Sequence, residues 1–349
     1  MGKNRPYSEE RGWAKVCKKN NQVNIHTQLT LLLQAKRKLM VIVYQHFGIE
    51  LRPIAEIGPD TWVHVTAPSH TEVKRICESS GIPVEFITSA LDPDERPRIE
   101  IEDNFILILL RIPLPNDELA ETPFLTLPLS VIIAPRFILT ICTKPNSVIS
   151  DFIETKVRNF SLENKTRFVL QIVNRTVLKY LNYLKEINHQ TALLERQVHT
   201  ALKNEDLIRL MRYEKSLVYF LASLRTNQLM LERLRKSELL RLSLEDKEFL
   251  EDITIDNTQA LEMTNIYKSI LSNLAATFSS VISNNLNQEM KTLTTVTVIL
   301  MVPTLVTSFY GMNVSLPWQE STYTFTIIFT LCILMAILGM IILGVRKLF

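Results

Sequence analysis

The chain has 349 residues, of which 46% are hydrophobic, and its 39 basic and 36 acidic side chains leave a formal net charge of +3. Its four cysteines are scattered without the spacing of metal ligands, which argues against a disulfide framework and fits a reducing cytoplasm. No glycine-rich phosphate-binding loop and no nucleophile motif is present, which argues against an ATP-driven pump and against an enzyme. We expect no cofactor and no nucleic-acid partner.

The N-terminal segment, residues 1–39, differs in charge from the rest of the chain. It holds nine Lys or Arg and two Glu, a net charge of +7, so the remaining residues sum to −4. We interpret it as a basic, solvated and disordered extension. Contact with anionic lipid and a start assigned too far upstream remain open as alternatives. No signal peptide is predicted, because the long apolar runs come last.

Residues 40–146 predict a cytoplasmic domain of mixed α/β structure. Turn residues separate runs rich in strand-forming residues, namely Val41–Tyr44, Thr61–Val65, Phe105–Leu110 and Val131–Cys142. Residues His70–Ser79 predict a short helix, with Ser69 as its cap. We therefore expect a sheet with helices packed on it.

Residues 147–290 predict long amphipathic helices that form a stalk. Glycine is absent from 147–239, and apolar residues recur at heptad-like spacing among charged ones. Lys203–Asp206 predicts the tip of a helical hairpin. Ser243 and Asp246 resemble a capping box that opens a helix running from Leu244 to Tyr310. At 1.5 Å per residue such a helix is roughly 100 Å long.

Two apolar segments near the C-terminus, residues 291–310 and 323–345, predict transmembrane helices. Each approaches or exceeds the roughly 20 apolar residues that cross a bilayer. Lys291 is the first residue of the first span, and Arg346 and Lys347 follow the second, whereas the connecting residues 311–322 contain no basic side chain. Positive residues stay on the cytoplasmic side. Both termini, including the basic tail 346–349, are therefore expected in the cytoplasm, with the loop outside.

The first span and its approach carry an unusual stripe. Steps of alternately three and four residues select Asn287, Met290, Thr294, Thr297, Met301, Thr304, Ser308 and Gly311. This is a heptad seam, but its members are polar, small or Met rather than Leu and Ile. For any single Thr, hydrogen bonding to the backbone of its own helix is the simpler interpretation. The whole stripe instead predicts several helix copies around a wet or narrow axis.

A pore of this kind requires more than one chain, because one helix hairpin cannot enclose it. Ring symmetry is the simple way to close such a homo-oligomer. The first spans would then line the axis, and the more apolar second spans would face lipid.

The segment Tyr310-Gly311-Met312-Asn313, placed between two terminal spans, resembles the CorA family of magnesium and cobalt transport proteins. Asn287–Leu293 and Glu95–Arg98 are similar to that family as well. The resemblance runs from about Met40 to the C-terminus. It implies an α+β membrane protein with a funnel-shaped cytoplasmic domain, assembled as a homopentamer in the cytoplasmic membrane of a prokaryote.

The same resemblance implies roles for individual residues. Asn313 would present its side-chain oxygen to the water shell of a divalent cation, Gly311 would permit a tight turn, and Tyr310 would support the loop. Asn287, Leu293, Met301 and Thr304 match pore-lining positions, with Leu293 and Met301 as apolar constrictions. The expected ions are Mg²⁺ and also Co²⁺ or Ni²⁺, driven by the membrane potential. Neutral oxygen ligands suit Mg²⁺, which dehydrates reluctantly and must also be released.

The resemblance also implies regulation by cytoplasmic Mg²⁺ bound between domains. Asp252 matches one acidic position of that regulatory site. The partner position falls on Ser89, which is not an acid, with Asp92 close by. The alternative is that Asp252 is a solvated acid on a helix surface.

Two alternative functions stay open. One is a Zn²⁺ transporter of the same architecture, with or without proton coupling. The other is a membrane-anchored scaffold or sensor, although a pure anchor needs neither the Thr-rich stripe nor the Gly-Met-Asn loop.

Overall fold

The computed structural model describes residues 41–47, 50–117, 120–157, 160–197, 204–236, 240, 242–312, 314 and 323–345. Several sequence predictions lie outside these ranges: the extension 1–39, residue Lys203 of the hairpin tip, Asn313, most of the external loop, and the tail with Arg346 and Lys347.

The N-terminal part of the chain forms a seven-stranded sheet with the order β2-β1-β3-β7-β6-β5-β4. The strands are β1 (Val41–Phe47), β2 (Glu50–Ile54), β3 (Thr61–Thr66), β4 (Arg98–Glu102), β5 (Phe105–Pro115), β6 (Phe124–Ile133) and β7 (Phe137–Cys142). Strands β3 and β7 pair in parallel, whereas the β1–β2, β1–β3, β4–β5 and β6–β7 pairs are antiparallel.

Two short helices, α1 (His70–Ser80) and α2 (Val84–Thr88), contribute to the core of the sheet domain. Helix α1 begins with a capping box in which the Ser69 side chain accepts from the backbone of Glu72. It ends at Gly81, whose φ of 72° lies in the left-handed region that favours glycine. Val73 and Phe86 bury their side chains in the same apolar cluster as the strand residues, which confirms the predicted sheet and helix.

The strands that the sequence prediction missed are the two edges of the sheet. Strand β2 contains Pro53, which an edge strand tolerates because it donates no ladder hydrogen bond. Strand β4 alternates Arg98, Glu100 and Glu102 with Ile, and charged residues are typical of edges. The predicted run Val131–Cys142 is the end of β6, a turn, and β7.

The remaining regular structure of the described chain is helical. The helices are α3 (Ser147–Ile153), α4 (Lys165–Gln197), α5 (Asn204–Lys236), α6 (Leu244–Tyr310) and α7 (Thr324–Val345). Helix α6 has 67 residues and the predicted bounds. At its start the Ser243 hydroxyl accepts from the Asp246 N–H at 3.1 Å and donates to the Asp246 carboxylate at 2.8 Å.

The chain divides into two compact units. The first comprises Met1–Leu114, Thr126–Lys179 and Ser223–Thr258, and the second Pro115–Leu125, Tyr180–Ala222 and Gln259–Phe349. The second unit contains an aromatic cluster of Phe124, Tyr180, Tyr183 and Phe220, with ring centroids 5.0–5.9 Å apart in contacting pairs.

Candidate ion-conduction site

The C-terminal part of α6 has the surface of a membrane-spanning helix. Among the described residues, α6 is the helix that is both long and apolar enough to cross a bilayer. Only 6% of its most apolar 18-residue stretch is buried. Exposed side chains on it include Leu293, Leu300 and Phe309. Helix α7 has 22 residues, is mostly apolar and contains no charged side chain. Its Cys332 Sγ lies 3.9 Å from the carbonyl oxygen of Pro303 in α6.

The threonines of the predicted stripe hydrogen bond to the backbone of their own helix. Thr294 Oγ1 donates to the Met290 carbonyl at 2.7 Å, and Thr297 Oγ1 donates to the Leu293 carbonyl at 2.8 Å. Thr304 Oγ1 donates to the Leu300 carbonyl at 2.7 Å. The interpretation of each single threonine as bonded within its helix is therefore confirmed.

This hydrogen bonding leaves each threonine oxygen as an acceptor. A hydroxyl has one hydrogen and two lone pairs, and here the helix carbonyl takes the hydrogen. The water shell of a hydrated cation presents hydrogens outward and so needs acceptors. Backbone bonding and a role in binding hydrated ions are thus compatible.

Every predicted pore-lining residue is exposed in the single chain, from Asn287 to Ser308. Apolar residues on the other faces of the helix, such as Leu300 and Leu305, are exposed as well. Exposure in one chain therefore does not distinguish the stripe from the other faces, and the pore lining stays a prediction.

The Tyr310-Gly311-Met312 segment closes α6 with a turn. The Gly311 N–H donates to the Thr307 carbonyl at 3.0 Å, and the Met312 N–H donates to the Phe309 carbonyl at 3.2 Å. Gly311 does not have a left-handed φ, and an added Cβ would lie 3.4 Å from the Thr307 oxygen. The described part of this turn therefore uses ordinary right-handed backbone at Gly311, and the role expected for Gly311 in the loop stays a prediction.

The three residues of the predicted regulatory site differ in their surroundings. Ser89 is buried; its hydroxyl donates to the Glu85 carbonyl at 2.6 Å and accepts from Arg98 Nη2 at 3.0 Å. Asp92 is exposed and accepts from the Asp94 N–H at 3.0 Å, and Asp252 is exposed on α6. Within the described part of one chain, no three His, Cys, Asp or Glu side chains group as metal ligands. A site shared between chains stays a prediction.

A polar contact that sequence reasoning missed joins the segment after Asp92 to α5. Arg111 Nη1 donates to the carbonyls of Pro93, at 2.7 Å, and Glu95, at 3.1 Å. The Asn227 side chain of α5 accepts from the Arg111 N–H at 3.0 Å and donates to the Arg111 carbonyl at 2.9 Å. The Asn227 side chain thus pairs with both backbone groups of Arg111, as a residue of a neighbouring strand would.

A second contact joins α5 to the long helix. Asn257 of α6 is fully buried, and its Nδ2 donates to the Leu224 carbonyl at 3.2 Å and to Gln228 Oε1 at 2.7 Å. The Asn257 Oδ1 atom has no hydrogen-bond partner among the described residues. Hydrogen bonds therefore run from the segment near Asp92 through α5 to α6. No local sequence pattern marks these polar residues as partners, because they lie far apart along the chain.

Comparison with known proteins identifies the family. The model of the "CorA-like Mg2+ transporter protein" family matches residues 61–347. The chain belongs to this family. The CorA cobalt/magnesium transport protein of Methanocaldococcus jannaschii is 29% identical over 277 residues, 78% of this chain and 86% of that protein. The corresponding protein of Thermotoga maritima is 23% identical over 265 residues, 75% of each chain.

Solved structures agree with this assignment. The complete CorA magnesium transporter of M. jannaschii matches with a TM-score of 0.68 and 26% identity, covering 88% of this chain and 98% of that one. The ZntB cytoplasmic domain of Vibrio parahaemolyticus matches with a TM-score of 0.55 and 16% identity, covering 70% of this chain and 96% of that one. The latter likeness shows the fold alone. The predicted family resemblance is confirmed, as are the α/β domain and the long helix.

Proposed function

We propose that this divalent-cation transporter family member assembles as a homopentamer that admits hydrated Mg²⁺, and also Co²⁺ or Ni²⁺, into the cytoplasm. The observation that carries the proposal is the set of threonine oxygens on α6 that remain acceptors after their hydrogens have bonded the helix carbonyls. They lie on a span that has no charged residue after Lys291 and that leads into Tyr310-Gly311-Met312-Asn313. The family and the M. jannaschii relatives support the choice of ion.

The chemistry of the stripe favours passage over tight binding. Mg²⁺ usually keeps several of its waters, so acceptor oxygens can hold the hydrated ion without stripping it. A ring of carboxylates would bind more strongly and slow release. Asn313 would bind the water shell at the outer mouth. Leu293 and Met301 would form apolar rings that can close the pore by excluding water.

The driving force would be the membrane potential. Each elementary charge moved across it gains about 2.3 kcal/mol per 100 mV, so a divalent cation gains about 4.6 kcal/mol. By the positive-inside rule, the basic residues Lys291, Arg346 and Lys347 support termini in the cytoplasm.

Closure by cytoplasmic Mg²⁺ belongs to the same proposal. The exposed Asp252, on the long helix, and Asp92 would contribute acidic ligands between neighbouring chains. Ser89 does not suit this role, because both of its observed hydrogen bonds lie inside its own domain. The contacts of Arg111, Asn227 and Asn257 would transmit a change at the Asp92 segment to α6.

Transport of Zn²⁺ is the second candidate. Met290 and Met301 place soft thioether groups on the stripe, and soft ligands favour Zn²⁺ over Mg²⁺ more than oxygen ligands do. The prevalence of oxygen acceptors on the stripe makes Mg²⁺ the first choice.

The decisive experiment measures Mg²⁺ flux into proteoliposomes with a Mg²⁺-sensitive dye. Asn313→Ala should abolish the flux, whereas Gln319→Ala, an amide deletion in the same external loop, should retain it. All proteins should first elute as the same oligomer. Flux of Zn²⁺ without Mg²⁺ would select the second candidate. Failure of both ions in a well-assembled protein would leave a membrane-anchored scaffold.

A further inference from the structure

A cavity of about 410 Å³ lies in the first compact unit, between the turn after α3, one face of α4 and the start of α6. Its polar lining consists of hydrogen-bond donors with positive charge and of amides: Lys156, Arg167, Arg175, Gln171 and Asn174. None of the described residues that line the cavity carries a carboxylate. Small-ligand pockets in proteins have volumes of about 300–1,000 Å³, so the cavity is large enough for a small molecule.

The positive charge at the cavity is only partly compensated. Arg175 Nη2 and Lys179 Nζ each lie 2.6 Å from Oδ2 of the buried Asp151 carboxylate. Lys156 Nζ lies 3.7 Å from its Oδ1. Burial raises the pKa of Asp151, but hydrogen bonds from Lys179 and Arg175 outweigh this effect, and the pKa lies below its ordinary value. One ionised carboxylate is therefore shared among three cations.

Two further ion pairs complete the charge balance. Lys156 contacts Glu154 at 2.6 Å, and Arg167 Nη1 contacts Asp246 at 3.2 Å. In the part of the chain that the structure describes, four cations thus face three carboxylates, which leaves one net positive charge. Since the carboxylates lie outside the cavity lining, the open side of the cluster offers mainly donors.

The geometry of the cluster suits phosphate oxygens. Arg175 uses Nε and Nη2 on Asp151, so its planar guanidinium is fixed in orientation, and its Nη1 donates to none of the described residues. Arg167 is held over the ring of Phe249, 4.1 Å from its centroid, and is also fixed. Arginines oriented in this way bind phosphate oxygens with little loss of side-chain entropy.

We propose that this cavity binds a small phosphate-bearing anion, of the size of pyrophosphate or of the phosphate chain of a nucleotide. Phe249 lines the cavity from near the start of α6, so the bound anion contacts the base of the long helix. This site does not depend on the proposed transport function, because its occupancy can be measured without ion flux.

The test is equilibrium dialysis of the full-length protein in detergent against radiolabelled pyrophosphate, in buffer with EDTA so that metal–pyrophosphate complexes do not form. Wild type should bind saturably with one site per chain. Asn174→Asp, which places a carboxylate in the cavity with almost no change in shape, should weaken binding at least tenfold, as should Lys156→Glu. The matched control is Lys185→Glu, the same charge change at an exposed position of α4 outside the cavity, which should bind as wild type does.

Melting temperatures without anion show whether each variant is folded. Competition with orthophosphate and with ATP identifies which source of phosphate binds most tightly. Absence of saturable binding by wild type, equal affinity of all variants, or displacement by sulfate at the same concentrations as by pyrophosphate would overturn the proposal.

Discussion

At the scale of single residues, a threonine hydroxyl on α6 can bond to its own helix and still accept a hydrogen bond from water in the proposed pore. Thr304 donates its hydrogen to the Leu300 carbonyl, so deleting the hydroxyl costs the helix little but removes an acceptor for water. Thr304→Val should therefore assemble normally and lower Mg²⁺ flux about tenfold, the effect of losing about 1.4 kcal/mol of stabilisation. Thr304→Ser should restore the flux.

The same helix provides a matched control for this prediction. Thr292 makes an equivalent bond to the Gln288 carbonyl at 3.0 Å, but at 100° per residue it lies on the opposite face from the stripe. Thr292→Val should conduct like wild type in the proteoliposome assay. Equal losses in Thr292→Val and Thr304→Val would mean that the hydroxyls act through helix packing.

A buried histidine makes a prediction about acid stability. His64 Nδ1 lies 2.9 Å from Thr140 Oγ1, and its Nε2 lies 2.9 Å from Thr66 Oγ1. Burial lowers the pKa of His64 to about 4, against a smaller opposing effect of Thr140. The unfolded chain takes up this proton first, near pH 6.5. The free energy of unfolding therefore loses nothing to His64 above pH 6.5, and it falls between pH 6.5 and about 4, by about 3 kcal/mol in all.

The melting temperature of the detergent-solubilised protein between pH 7 and pH 4.5 tests this expectation. His64→Asn cannot take up the proton, so its melting temperature should fall less steeply with pH than that of wild type. His70→Asn, at an exposed position on α1, is the control for loss of an imidazole. Parallel slopes for His64→Asn and wild type would contradict the assignment.

At the scale of elements, the Asn227 side chain holds α5 against strand β5. Asn227→Ala leaves both the N–H and the C=O of Arg111 without this partner, and each such group costs about 1–3 kcal/mol when it stays buried. We expect the melting temperature to fall on the order of 5 °C or more. Arg225→Ala, an exposed deletion on the same helix, should change it by little. A similar shift in the two variants would show that the contact adds no stability.

The elements also show which features can be predicted from sequence. Helix α6 was predicted at both ends because local signals mark it: Ser243 caps its start, and no glycine lies between Ser243 and Gly311. Strands β2 and β4 were missed because edge strands carry proline and charge rather than an apolar alternation. The Arg111–Asn227 contact could not be predicted, because its partners are 116 residues apart and neither has a distinctive local pattern.

The same division applies to the candidate site. The stripe on α6 follows from one helical period, so its residues could be placed on one face from the sequence. The surroundings of Ser89 depend on Arg98 and on the backbone of α2, which the sequence does not bring together by itself. The backbone conformation at Gly311 could not be predicted either, because glycine adopts both left-handed and right-handed backbone conformations.

At the scale of the whole molecule, the exposed apolar surface of α6 predicts association. A pentamer of 40.2 kDa chains has a protein mass of about 200 kDa. Size-exclusion chromatography with light scattering, corrected for detergent, should give this mass for wild type and for Asn313→Ala. A monomer in mild detergent would exclude a pore lined by several copies of α6.

Membrane topology is the second property of the whole molecule that can be tested. The positive-inside rule places residues 311–322 outside and Arg346 and Lys347 in the cytoplasm. In a background with all four native cysteines replaced, Glu320→Cys should react with a membrane-impermeant maleimide applied to intact cells. Phe349→Cys should react only after the membrane is opened. Reaction of both before opening would show that the last helix does not return to the cytoplasm. In that case α7 would not cross the bilayer, so it could not pack beside α6 in the membrane. The proposed pore would then have a single span in each chain.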